Sequence, residues 1–137
     1  MRTLVGTLTD VFPHVVAFAD GSDLLLVGSR APLQLDPKVW QQRVAASPEA
    51  AASLAGVNVR SAAAIAHGLV ADERGLGAWS SGAPRHTDDR PILEFSAARH
   101  IASDYSAPIL ASLVAAGQAA GPIPLGTSGF VGNMTAT

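Results

Sequence analysis

The side chains best suited to chemistry are bunched in one stretch, His86-Thr87-Asp88-Asp89-Arg90. Asp88 and Asp89, when ionised, are adjacent charge-assisted acceptors able to hold an ammonium group. A structural reading competes with this one. In it Arg90 pairs with Asp88 or Asp89, Pro91 stiffens a surface turn, and Thr87 or Asp88 serves as a local cap. By ligand type His86, Asp88 and Asp89 also suit a metal ion. Adjacent Asp side chains diverge, however, and no second His stands at fixed helical spacing, so neither a metal nor a cofactor is expected.

The remaining reactive types are scattered. His14 follows Phe12-Pro13 at a strand entrance, His67 lies in an Ala-rich helix and His100 follows Arg99. None has a Ser, a Cys or paired carboxylates at a spacing that suggests nucleophilic catalysis. Gly126-Thr127-Ser128-Gly129 lacks the Lys and following helix of a phosphate loop. With no cysteine in the chain, disulfide frameworks and thiol chemistry are excluded.

The elements that must position the cluster can be marked out by their punctuation. Leu4, Val5, Leu8 and Val11 fall at helical spacing, and Phe12-Pro13 ends that helix. Two apolar runs, Val15 to Ala19 and Leu24 to Val27, flank Asp20-Gly21-Ser22-Asp23, whose Asp-Gly step supplies hairpin turn chemistry. Leu24 to Val27 shows no polar alternation, so the sequence predicts a strand covered on both faces. Asp36-Pro37 and Ser47-Pro48 read as caps followed by proline at the first helical position. Ser61 caps a helix over Ala62 to Leu69, Asp72 one ending near Gly82, and Ser106 one over Ala107 to Ala120 that Gly121-Pro122 closes. Trp40 and Trp79 are expected to face inward from their helices. A terminal helix over 101–121 and a flexible tail over 122–137 close the chain.

Composition bounds the function. The 137 residues carry 9 basic and 11 acidic side chains, a net charge of −2, and are 48% hydrophobic but only 5% aromatic. Ala supplies 26 of the hydrophobic residues, so the core is thin for its count. Few stacking rings and no positive field argue against nucleic acid as a partner. No apolar run approaches the roughly 20 residues of a membrane span, and Met1 to Asp10 is no signal peptide. No membrane contact by this chain and a cytoplasmic location are expected.

Two segments resemble a known family. Asp10-Val11-Phe12-Pro13-His14-Val15, followed by Asp23-Leu24-Leu25-Leu26-Val27-Gly28-Ser29, is similar to the closing strands of the spermidine synthase-like domain, particularly in bacterial proteins that fuse it to a membrane transporter-like region. Gly82-Ala83-Pro84, with Thr87-Asp88-Asp89-Arg90-Pro91-Ile92-Leu93-Glu94-Phe95, resembles that domain's Asn-Thr-Asp-Asp-Arg-Pro stretch and its Glu-aromatic ending, with His86 where Asn is usual. The resemblance covers residues 1–100.

What the resemblance implies is an α/β fold: the C-terminal portion of a Rossmann-like, methyltransferase-type sheet, built as one antiparallel hairpin plus several short helices. The parent activity it implies is aminopropyl transfer from a decarboxylated adenosylmethionine-type donor to an amine. His86, Thr87, Asp88 and Asp89 are then candidates for amine binding in the intact parent, and the resemblance to the fused proteins implies a parent anchored at a membrane through its fused region. The nucleoside-binding glycine loop, the ribose-binding acid and the catalytic Asp of the family precede the matched segment and have no counterpart here. The chain alone is therefore expected not to catalyse. The alternative is a non-catalytic helical module with a structural or protein-interaction role. In the parent-like sheet the outer edge of Leu24 to Val27 would meet a parallel strand that this chain does not contain, so self-association through that edge is expected.

Overall fold

A computed structural model describes residues 1–21, 23–92, 106–124 and 131–132. Within them the chain is α/β, with six helices, a three-stranded antiparallel sheet and a separate two-stranded ladder. Helix α1 (Arg2–Val11) leads into β1 (His14–Asp20) and β2 (Asp23–Ser29). The hairpin is tight: Asp20 pairs with Asp23, and Gly21 supplies the positive φ of +58° that the turn needs. Three helices follow, α2 (Pro37–Ala45), α3 (Pro48–Gly56) and α4 (Ala62–His67). Their caps are those marked in the sequence, with Asp36, Ser47 and Ser61 each accepting a backbone N–H of the first turn.

Strand β3 (Leu69–Ala71) then pairs antiparallel with β1, giving the order β2-β1-β3. Its register shifts at Ala17/Phe18, leaving Val70 as the extra residue of a bulge. Helix α5 (Glu73–Ser80) and the long α6 (Ser106–Ala120) complete the larger layer. Cross-strand pairs sort the core by face. Val15, Ala17, Leu24 and Leu26 turn toward α1, α5 and α6, where Val5, Leu76, Trp79 and Leu113 are buried. Val16, Phe18 and Val27 turn to the other face, onto Ala66, Leu69, Leu33, Leu35 and Ile123. Each fully buried Leu or Val contributes about 1.5–3 kcal/mol.

Alanine and glycine set how closely these layers approach. A Cβ on Gly117 of α6 would stand 2.0 Å from the Val70 carbonyl oxygen, and one on Gly75 would stand 2.9 Å from the Gly117 Cα. Larger residues would force α6 off both β3 and α5. Close backbone contact thus compensates for a core poor in bulky side chains.

Several expectations change. Leu24 to Val27 is not covered on both faces: β2 is the outermost strand, and Leu25 at its centre is 62% exposed. The helix expected to run to Leu69 stops at His67, because the chain passes through Gly68 straight into β3. Trp79 is buried, but Trp40 is not a core residue, since α2 and α3 bury none of their side chains. At the end of the chain β4 (Ile123–Pro124) pairs with β5 (Val131–Gly132), and Ile123 is buried against Val16 and Leu69. His100, the Leu93-Glu94-Phe95 part of the second motif and the Gly126-Thr127-Ser128-Gly129 stretch lie outside the described residues.

Candidate functional site

The segment after α5 is strapped along α1. Arg85 sits over Gly6, whose missing side chain leaves room for the guanidinium. It donates from Nε to Asp10 Oδ2 at 2.6 Å and from a terminal nitrogen to Asp10 Oδ1 at 3.3 Å, a fork on a carboxylate. Another terminal nitrogen bonds the Ala83 carbonyl at 3.0 Å. The Arg85 hydrogen bond, reinforced by its charge, holds the Asp10 carboxyl below its ordinary range, and Asp10 in turn raises the Arg85 guanidinium. One residue further on, the His86 N–H donates to Thr7 Oγ1 at 2.9 Å.

This strap delivers the acidic pair to the surface. Thr87 and Arg90 exchange both backbone hydrogen bonds, 3.3 and 2.9 Å, so Asp88 and Asp89 are the two central residues of a tight turn. Both are exposed, as are Thr87 and Arg90, while His86 is half-buried at the base. The turn is closed by its own backbone rather than by a side-chain cap. The pairing of Arg90 with Asp88 or Asp89 does not occur among the described residues. Two solvated carboxylates with no cationic partner among the described residues are therefore presented together, a state in which they can accept an external ammonium group. Among the described residues no three His, Asp or Glu side chains gather to hold a metal ion.

The other histidines take separate places. His14 Nδ1 lies 3.6 Å from Glu73 Oε1 at the start of α5. Beside it the buried Asp72 caps α5, accepting from the backbone N–H groups of Arg74 and Gly75 and from the Arg74 side chain at 2.7 Å. Arg74 also bonds the Pro122 carbonyl, so this pair ties α5 to the end of α6.

One feature escaped sequence reading. An open groove of about 1050 Å³ runs between the hairpin tip, α4 and α6. Phe18, Leu25, Ile65 and Leu110 give it an apolar floor, and Asp20 and Asp23 stand at one end. It joins residues from three separate stretches, so no local motif announces it. Asp88 and Asp89 are not part of its lining.

No family model, curated protein or solved structure matches the chain. Among the described residues no helix is long and apolar enough to cross a membrane.

Proposed function

We propose that the chain is the C-terminal portion of a spermidine synthase-like domain, whose β1–β2 hairpin closes a Rossmann-like, methyltransferase-type sheet. The observation that carries this reading is the position of β2. Strand β2, Asp23–Ser29, carries the unbroken apolar run Leu24 to Val27, yet it is the last of its sheet, with no strand on its outer side among the described residues. A strand of that composition suits the interior of a larger sheet. The order of the two quoted motifs and the exposure of the Asp88–Asp89 turn add support.

In this reading the parent transfers an aminopropyl group from a decarboxylated adenosylmethionine-type donor to an amine. The Asp88 and Asp89 carboxylates hold a cationic end of that amine, with His86 and Thr87 anchoring the turn. The chain itself neither binds the nucleoside nor catalyses, because it has no G-x-G-x-x-G loop after a strand and no acidic ribose ligand. The parent is cytoplasmic, with any membrane attachment supplied by its fused region. A second reading, a helical interaction module, draws on α2 and α3, which project without a buried side chain around a groove lined by Trp40, Val44 and Leu54.

The deciding experiment extends the reading frame upstream through the first glycine-rich loop and assays aminopropyl transfer. Transfer by the extended protein and none by the 137-residue chain is expected. Transfer by neither, or saturable micromolar binding of the adenosyl donor by the chain alone, would overturn the proposal.

A further inference from the structure

The outer edge of β2 carries main-chain groups that no other strand takes up among the described residues. Ala19 donates its N–H to the Gly68 carbonyl at 2.8 Å, on the β3 side of β1. Its hairpin partner Leu24 therefore sits in a non-hydrogen-bonded pair and points its own N–H and C=O away from β1. The alternation along a strand gives Leu26 and Gly28 the same outward direction. None of the three bonds to a backbone group beyond the hairpin among the described residues. Proline, lysine and bulges, the usual protections of such an edge, are absent from it.

Charge identifies what fits there. Asp20 and Asp23 stand directly opposite each other at the hairpin tip, both exposed, an arrangement that repels. Arg30 is exposed just past the other end of β2. None of these three residues has an ion-pair partner among the described residues. An edge with two negative charges at one end and one positive charge at the other is complementary to itself when reversed.

We propose that a second copy of this chain occupies the edge, β2 against β2, antiparallel about a two-fold axis at Leu26. In that register Leu26 meets the partner's Leu26, Leu24 meets the partner's Gly28, and the exposed Leu25 packs beside the partner's Val27. Arg30 of each copy reaches the partner's Asp20 and Asp23, and the two sheets become one of six strands. A shift of two residues loses main-chain bonds and separates the charges. A parallel arrangement places Arg30 beside Arg30. This goes beyond the parental reading, because it concerns what the 137-residue chain does with an edge that the parent's sheet would fill.

Sedimentation equilibrium on the chain tests the proposal. The apparent mass should rise toward twice the monomer value as concentration increases to about 1 mM, as expected for a small edge-only interface. Arg30→Glu alone, and Asp20→Lys with Asp23→Lys alone, should each weaken association by about tenfold or more. An equimolar mixture of the two variants should associate again, because each end then meets an opposite charge. Leu26→Pro removes the two central bonds through an N–H that β1 does not use, and should abolish the dimer while the hairpin persists. A chain that stays monomeric, a mixture no tighter than its components, or a Leu26→Pro variant that still dimerises would each overturn the proposal. None of these results would touch the parental reading, whose test is transfer by the extended protein.

Discussion

Arg85 and Asp10, 75 residues apart in sequence, meet as a guanidinium–carboxylate fork whose shorter bond is 2.6 Å. This contact, with the His86–Thr7 bond beside it, holds the segment leading to the acidic turn against the first helix. Where Asp88 and Asp89 sit thus depends on a residue near the other end of the sequence.

The pair should be visible in titration. Asp10 has a folded-state value below its unfolded one, so its contribution is present at neutral pH and is lost as pH falls through that depressed value. Carboxyl chemical shifts of Asp10 followed from pH 7 downward should give a midpoint under the ordinary range of about 3.9. In Arg85→Ala the midpoint should return upward, and the His86 amide should exchange faster. An unchanged midpoint would mean that the fork does not form in solution.

Two glycines test the close approach of α6. Gly117→Ala places a methyl against the Val70 carbonyl and should destabilise the fold by about 3 kcal/mol. Gly77→Ala, where an added Cβ meets nothing within 4 Å in the middle of α5, should stabilise by about 0.5–1 kcal/mol. Thermal unfolding of the two variants should move in opposite directions.

Asp72 is the buried anchor of α5, 4% exposed. Asp72→Ala strips a cap from Arg74 and Gly75 and leaves their N–H groups unpaired, at a cost of about 2 kcal/mol. Denaturant unfolding should show it. Asp72→Asn, which retains one acceptor, should lose less.

Asp88→Asn with Asp89→Asn should leave the stability of the chain nearly unchanged, since both side chains are exposed and unpaired with Arg90. If the proposed parentage holds, the same change in the extended protein should weaken amine binding and leave nucleoside binding intact, because only the amine carries compensating positive charge. Equal losses in paired titrations of the two ligands would sink the amine-site reading.

Much of the fold was legible because its signals are local. Asp36-Pro37, Ser47-Pro48, Ser61 and Asp72 mark helix starts by side-chain bonds to the next turn, and each does so. The hairpin was legible in Asp20-Gly21 for the same reason. Strand β3 was not, because three residues between Gly68 and Asp72 carry no periodicity and owe their conformation to pairing with β1. Leu25 misled for a related reason: its composition describes an interior strand, while its exposure depends on a neighbour that lies elsewhere. At the site, Asp88 and Asp89 are exposed, as the cost of burying adjacent charges requires. The strap through Arg85 and Asp10 was not legible, since nothing in either residue's surroundings names the other.

Among the described residues β2 has no strand on its outer side, and amide exchange at Leu24, Leu26 and Gly28 tests what takes that edge. These three N–H groups should exchange rapidly in the dilute 137-residue chain, while those of Leu25 and Val27, bonded to β1, exchange slowly. If the proposed parentage holds, all five should be slow in the protein extended upstream, because a further strand of the larger sheet would take the edge. Rapid exchange at Leu24, Leu26 and Gly28 in the extended protein as well would contradict the account.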